Sequence, residues 1–181
     1  KVGRISYAGA EAASEGVNPA VMREAVAIQM TWPGAPTVYY GDEAGLCGFT
    51  DPDNRRTYPW GREDYQMIDF HRVMIRIHKN YEVLKTGSLG FLWNDYQGLC
   101  YARFSRKEQM IVIINNQAES RDVEIQLWQA GISRLADTKL KRIVVTSAEG
   151  FTEEPEEYTA TAGILKITMP AFGAMVLHHK N

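Results

Sequence analysis

The segment that decides the fold is a short run of β-branched and aromatic residues between a Pro-Gly turn and two carboxylates. It reads PGAPTVYYGDE from Pro33 to Glu43. A short run of this kind, bounded by turn residues, is typical of a parallel strand that is buried on both faces. The sequence therefore predicts a strand over Thr37–Tyr40 that ends at Asp42 and Glu43.

Helices are predicted on both sides of this strand. Asn18 followed by Pro19 is a typical helix start, with a capping side chain and then proline at the first helical position. The second helix, after the strand, shows one apolar stripe at spacings of three and four, formed by Met67, Phe70, Met74, Ile77, Tyr81 and Leu84. Gly87 is predicted to end it in a left-handed cap. Helix, strand, loop and helix in this order predict one step of a parallel (β/α)₈ barrel, whereas residues 1–16 are predicted to form a loop.

After Gly87 the apolar period changes from about 3.6 to 2, and this change marks a domain boundary. Candidate strands are Leu89–Trp93, Leu99–Phe104, Met110–Asn115, Val123–Leu127, Arg142–Thr146, Glu157–Thr159, Ile164–Met169 and Ala174–His178. Short alternating strands joined by polar turns predict an antiparallel β-sandwich with Greek-key connections. The predicted fold is an α/β barrel remnant in residues 1–86, mainly helical, followed by an all-β sandwich in residues 87–181.

A polar loop with the sequence DPDNRR, from Asp51 to Arg56, follows the predicted barrel strand. In such barrels the active site lies at the carboxyl ends of the strands, where the loops converge. The i, i+4 spacing of Asp51 and Arg55 lets a carboxylate acceptor and a guanidinium donor share one surface, which suits a pair of neighbouring hydroxyls on a ligand. A structural ion pair that braces the loop is the alternative interpretation.

Tyr58 and Trp60 lie further along the same loop. Their aromatic faces suit an apolar face of a ligand, so we predict substrate contact. Packing of these rings against the loop itself is the competing interpretation.

The remaining candidates for chemistry are weaker. Two carboxyl groups that act as a catalytic pair must lie close together, but Asp42 and Glu43 would point to opposite faces of a strand. Hydrogen bonds to loop backbone are the expected role of both. Structural roles are also expected for the histidines and for the tryptophans of the β-domain, which are His71, His78, His178, His179, Trp93 and Trp128.

Two motifs with their spacing carry a family resemblance. The pattern GxPxVYYGDE, from Gly34 to Glu43, resembles the eighth barrel strand of the α-amylase superfamily of glycoside hydrolases. The loop DPxxR from Asp51 to Arg55, with Trp60 beyond it, is similar to the neopullulanase, cyclomaltodextrinase and maltogenic amylase branch. The resemblance implies that Asp51 and Arg55 contact a glucose unit on the non-reducing side of the scissile bond.

The same resemblance implies that the catalytic carboxylates lie upstream of Lys1, after barrel strands four, five and seven. No Asn-His-Asp or Ser-His-Asp triplet, the usual signature of strand seven, occurs in the chain. The expected function is that of the C-terminal portion of a retaining glycosidase acting on α-glucans or cyclodextrins, inactive by itself. A non-catalytic carbohydrate-binding or structural β-sandwich module is the alternative. A third is a complete enzyme with chemistry at Asp42, Asp51 or Asp53.

Composition limits the other function classes. The formal net charge of −2 gives no electrostatic basis for nucleic-acid or membrane-surface binding. No apolar run approaches the roughly 18–20 residues of a membrane span. Cys47 and Cys100 lie far apart without metal-ligand spacing and are expected to be small buried hydrophobic residues. No cluster of acidic ligands indicates a metal site, and no cofactor is expected. A cytoplasmic location is also predicted. The unpaired edge of the barrel strand and the apolar faces of both helices are expected to pack against the sandwich, swap or self-associate, which predicts an oligomer or a rearranged N-terminal region.

Overall fold

The computed structural model describes residues 4–181 of the chain. The four α-helices of this part are α1 (Ile5–Ala8), α2 (Pro19–Thr31), α3 (Tyr65–Asn80) and α4 (Glu82–Thr86). The strands are β1 (Ser88–Asn94), β2 (Gly98–Phe104), β3 (Glu108–Asn115), β4 (Arg121–Gln126), β5 (Thr138–Thr146), β6 (Phe151–Thr152), β7 (Glu157–Ala160), β8 (Ile164–Met169) and β9 (Gly173–Lys180). Turns of 3₁₀-helix lie at Glu11–Ser14, Asp42–Ala44 and Trp128–Ala130. No helix within residues 4–181 is both long and apolar enough to cross a membrane.

Helix α2 begins where the sequence predicts. The side-chain oxygen of Asn18 accepts a hydrogen bond from the Ala20 amide at 2.9 Å, and Pro19 occupies the first helical position. Helix α3 has an equivalent cap, since Asp64 Oδ1 accepts from the Met67 amide at 3.0 Å. Both caps satisfy backbone donors that the first helical turn leaves without partners.

The second predicted helix is divided in two. Tyr81 leaves helical geometry, with φ −107° and ψ 113°, so α3 ends and α4 begins around it. Its apolar stripe continues across the break because Val83 and Leu84 are both buried. The left-handed cap predicted at Gly87 is wrong: its φ is −71°, and the chain leaves α4 extended toward β1. Glycine is needed here for close approach, because a Cβ would lie 2.4 Å from the Val83 carbonyl oxygen.

The prediction of a loop over residues 1–16 is also wrong for residues 4–16. Residues 1–3 lie outside the described residues, and the remainder contains α1 and the 3₁₀ turn Glu11–Ser14. Single turns such as α1 are closed by local bonds, here from the Ala8 amide to the Arg4 carbonyl at 2.9 Å. A single turn is too short to show an apolar period, so the sequence pattern did not reveal it.

The β-part consists of two antiparallel sheets. The larger has the order β1-β2-β3-β9-β5-β6, with β7 also paired to β5, and the smaller contains β4 and β8. All eight predicted strands form, and β6 is an additional strand of two residues. Strand β9 lies between β3 and β5, so its sheet neighbours are distant in sequence, as in Greek-key arrangements.

Two hydrophobic clusters fix the layers. One face of the larger sheet packs on the smaller sheet, through residues such as Ile111, Ile113, Ile125 and Leu165. Its other face packs on α2 and α3, through Val112, Val176, Met30, Phe70 and Met74. The molecule therefore has a helical layer, a large sheet and a small sheet, which is consistent with a capped β-sandwich.

The predicted barrel strand Thr37–Tyr40 does not form. Residues 35–39 have no regular secondary structure, and every paired strand within residues 4–181 runs antiparallel to its neighbour. A parallel strand requires a neighbouring strand to receive its backbone hydrogen bonds, and none of the described strands lies beside this segment. The Thr37 carbonyl instead accepts a hydrogen bond from the Gln29 side chain.

Candidate functional site

The candidate site is the loop that connects the 3₁₀ turn Asp42–Ala44 to α3. Gly41 precedes the 3₁₀ turn and has φ 93°. A Cβ at this position would lie 2.6 Å from the Leu46 side chain, so only glycine fits. The Asp64 amide donates to the Ala44 carbonyl at 3.0 Å and thereby joins the two ends of the loop. The loop is consequently held at its base while its outer part projects from the helical layer.

Several internal bonds fix the path of the loop. The Arg56 guanidinium donates to the Cys47 carbonyl, and the Tyr40 hydroxyl donates to the Arg56 carbonyl at 2.7 Å. Asp53 Oδ2 accepts from the Ile5 amide at 2.9 Å, which fastens the loop to α1. Arg56 and Asp53 therefore brace the loop.

Asp51 and Arg55 form the ion pair that their spacing suggests. Arg55 Nη2 lies 2.8 Å from Asp51 Oδ1, and the side chain of Arg55 is 62 % exposed and that of Asp51 66 %. An exposed pair of this kind contributes only about 0.2–1 kcal/mol to stability, so it is a weak brace. Both groups are accessible to a ligand, and their fixed mutual position suits two adjacent hydroxyls.

Tyr58 and Trp60 contact each other further along the loop. Their ring centroids are 4.6 Å apart at an interplanar angle of 49°, and Trp60 is 80 % exposed. The exposed face of the Trp60 ring is therefore accessible to a ligand. The structure thus presents Trp60 to solvent on the same loop as the Asp51–Arg55 pair.

A second exposed aromatic pair lies just before the loop. Tyr39 and Tyr40 have ring centroids 5.0 Å apart, and they are 47 % and 44 % exposed. The predicted strand Thr37–Tyr40, of a type that is buried on both faces, would have buried Tyr40.

Asp42 and Glu43 differ in their contacts. Glu43 Oε2 accepts a hydrogen bond from the Gly41 amide at 2.8 Å. Asp42 is half-buried beside a cavity of about 210 Å³, and burial, assisted by the nearby Glu43, raises the pKa of its carboxyl while His71 opposes the shift. Both residues lie in a 3₁₀ turn, so the expectation of opposite strand faces does not apply. The hydrogen bond of Glu43 nevertheless agrees with the backbone-binding role expected for it.

The histidines contact backbone or a carboxylate. His71 and His78 bind the Met67 and Met30 carbonyls through Nδ1, at 2.9 and 2.8 Å. His178 Nε2 lies 2.8 Å from Glu108 Oε2, and His179 Nδ1 lies 2.7 Å from the Lys139 carbonyl. Within residues 4–181 no group of three or more His, Cys, Asp or Glu side chains could hold a metal ion.

The tryptophans of the sandwich are partly buried. Arg121 lies over the Trp93 ring at 4.7 Å and Arg134 over the Trp128 ring at 4.0 Å. Because these arginines cover one face of each ring, Trp93 and Trp128 offer less free ring surface than Trp60, which is 80 % exposed.

No protein-family model matches the chain. The chain is 32% identical over 167 residues, 86% of its length, to an amylopullulanase of Thermoanaerobacterium saccharolyticum. It is 31% identical over 166 residues, 90% of its length, to neopullulanase 2 of Thermoactinomyces vulgaris. The crystal structure of the debranching enzyme from Nostoc punctiforme matches 88% of the chain with a TM-score of 0.66 and 28% sequence identity.

These relatives are much longer than the chain, which spans 12% and 26% of the two curated proteins and 31% of the debranching enzyme. Cyclomaltodextrinases also match, one of them over 80% of the chain. The resemblance to the neopullulanase and cyclomaltodextrinase branch of the α-amylase superfamily is thereby confirmed. It extends over both the helical part and the sandwich.

Proposed function

We propose that this chain is the C-terminal portion of a retaining glycosidase that hydrolyses α-glucosidic bonds in α-glucans or cyclodextrins. Residues 1–86 would complete a (β/α)₈ barrel and residues 87–181 would cap it. The substrate class follows the names of the relatives, neopullulanase and cyclomaltodextrinase.

The observation that carries the proposal is the exposed loop with its Asp51–Arg55 ion pair and the exposed Trp60 ring. Structural bracing of the same loop is assigned to other groups, mainly Arg56 and Asp53. The pair and the ring are therefore free to contact a sugar. Asp51 would accept from one glucose hydroxyl, Arg55 would donate to its neighbour, and Trp60 would cover an apolar sugar face.

In the complete enzyme the reaction would be a double displacement. One carboxylate attacks the anomeric carbon and forms a glycosyl intermediate, which water then hydrolyses with help from a second carboxyl group. Neither group is assigned within this chain. The contribution of the loop is to bind a glucose unit beside the scissile bond, so the chain alone would not catalyse hydrolysis.

The test is mutagenesis of the loop in the polypeptide translated from the complete gene. Asp51→Asn removes the charge of the carboxylate, and a charge-assisted hydrogen bond is worth about 1.5–3 kcal/mol, so kcat/KM on a cyclodextrin should fall about 10- to 100-fold. Asp69→Asn is a matched control, because Asp69 and Arg72 form a similar exposed ion pair on α3.

The control should change kcat/KM by less than about twofold, since it lies outside the proposed binding loop. Trp60→Ala should mainly raise KM if the ring contributes uniform binding. Equal effects of Asp51→Asn and Asp69→Asn would contradict sugar contact by the loop and favour a purely structural ion pair.

A further inference from the structure

A buried carboxyl group lies in the middle of the α2 sequence, at Glu24. The residue lies in α2 and is 4 % exposed, and its Oε1 has no hydrogen-bond partner among the described residues. Burial alone raises the pKa of Glu24 to about 7. A buried carboxylate is normally paired with a cation or with hydrogen-bond donors, so this group calls for a partner.

Glu24 lines a groove between α2 and the turn that joins β1 to β2. The groove has a volume of about 340 Å³, and its walls include Ala25, Ile28 and Leu99. A second groove of about 550 Å³ shares Ile28 and Leu99 and continues to Trp32. Together they form the Glu24 groove, which follows α2 from Val21 to Trp32, a distance of about 16 Å at the helical rise.

The charge in this groove is unbalanced. None of the described residues that line it is Lys or Arg. The other acidic side chain, Asp95, is already paired with Arg121 at 2.5 Å. Glu24 is therefore the acid for which the structure provides no counter-charge.

We propose that the Glu24 groove receives a Lys or Arg side chain carried by an apolar polypeptide segment, and that this segment precedes α2 in the longer enzyme. This inference rests on the proposed function. A long basic side chain can bury its methylene groups against Ala25, Ile28 and Leu99 while its charged end reaches Glu24.

The position of the groove in the fold supports this occupant. Helix α3 packs against α2 on one side, through Met30, Phe70 and Met74. In a (β/α)₈ barrel each helix of the outer ring has two neighbours. The groove follows α2 beside the β1–β2 turn, where the preceding segment would supply its second neighbour.

The experiment is to compare Glu24→Gln in two forms of the protein at pH 8, where Glu24 is ionised. In the 181-residue chain the substitution removes an unpaired buried charge, so Tm should rise by about 2–4 °C. In the polypeptide from the complete gene it leaves a buried Lys or Arg without its counter-charge, so Tm should fall by a similar amount. Glu15→Gln, at an exposed acidic residue, should leave both values within about 1 °C.

The inference requires that Glu24→Gln raises Tm of the 181-residue chain and lowers Tm of the longer polypeptide. A rise in Tm in both forms, or no change in the longer one, would overturn it, since no cation then faces Glu24. Maltotriose is included as a competing ligand. If it raises Tm of the 181-residue chain and Glu24→Gln abolishes that rise, the groove is a sugar site and the proposal is wrong. Neither readout uses hydrolysis, so an inactive longer polypeptide would count against the proposed function and not against this inference.

Discussion

Replacement of Arg103 should test how the helical layer is held on the sandwich. Arg103 lies in β2 and is 1 % exposed. Its Nη1 donates to the Thr31 carbonyl at 3.0 Å, and its Nη2 donates to the Gly87 carbonyl at 2.8 Å. These carbonyls belong to the last residue of α2 and to the residue that follows α4, so one guanidinium binds both helix ends.

The expected cost of Arg103→Met follows from these bonds. Hydrogen bonds to charged groups contribute about 1.5–3 kcal/mol each, and methionine keeps the apolar stem but satisfies neither carbonyl. The Gly87 carbonyl is only part-buried, and water can replace some of its lost bond. The free energy of unfolding should therefore fall by about 3 kcal/mol, or Tm by about 6–12 °C for a chain of this size.

The assay is urea unfolding followed by tryptophan fluorescence. Arg106→Met is the matched control, because Arg106 is exposed in the turn between β2 and β3. The control should change the free energy of unfolding by less than about 0.5 kcal/mol. A loss below about 1 kcal/mol in Arg103→Met would refute the reasoning, since it would mean that water satisfies both carbonyls in the folded protein.

Three further predictions concern other parts of the molecule. The contribution of Glu24 to the stability of the 181-residue chain should be most favourable below pH 4.5, because burial raises the pKa of its carboxyl to about 7. This contribution falls as pH rises from 4.5 to 7, by about 1–2 kcal/mol after allowance for residual solvation. The unfolding curves of Glu24→Gln should not show this loss of stability between pH 4.5 and 7, and a variant with the same pH dependence as the unmodified chain would contradict the prediction. The other titratable groups that line the groove are Tyr96 and Asp95, which is paired with Arg121. Asn18→Ala should lower the free energy of unfolding by about 1 kcal/mol through loss of the α2 cap, whereas no change in thermal unfolding would mean that water replaces the cap. Light scattering should detect self-association of the 181-residue chain, because Trp32, Tyr39 and Tyr40 are exposed along one stretch of sequence; a monodisperse monomer would contradict this expectation.

The sequence predicted the elements that depend on local patterns. Alternation such as Val123 to Leu127 identifies a strand because side chains on one face of a sheet must all be apolar. The Asn18 cap and the i, i+4 pair of Asp51 and Arg55 are similarly local. These features could be predicted because each one is determined by residues a few positions apart.

The sequence failed where the result depends on distant parts of the chain. The run Thr37–Tyr40 has strand-forming residues, yet without a neighbouring strand it stays irregular and exposes its tyrosines. The break at Tyr81 occurs although the apolar stripe continues, because α4 has to meet the sandwich. One contact between α4 and the sandwich is the hydrogen bond that the Val83 amide donates to Glu108 Oε1 at 2.9 Å.

The site itself was predicted in part. Asp51 and Arg55 are paired as their spacing suggested, and Tyr58 and Trp60 contact each other on the same loop. The bracing bonds of Asp53 and Arg56 were not predictable, since their partners Ile5 and Cys47 are backbone groups at positions without a pattern. The carbohydrate role of the loop remains a prediction.

The most direct test of the central claim is a hydrolysis assay on two proteins, the 181-residue chain and the polypeptide from the complete gene. The substrates are maltotriose, pullulan and a cyclodextrin. The proposed function predicts that the longer polypeptide hydrolyses at least one of them with retention of anomeric configuration, and that the 181-residue chain hydrolyses none. Turnover by the purified 181-residue chain, or inversion by the longer polypeptide, would contradict it.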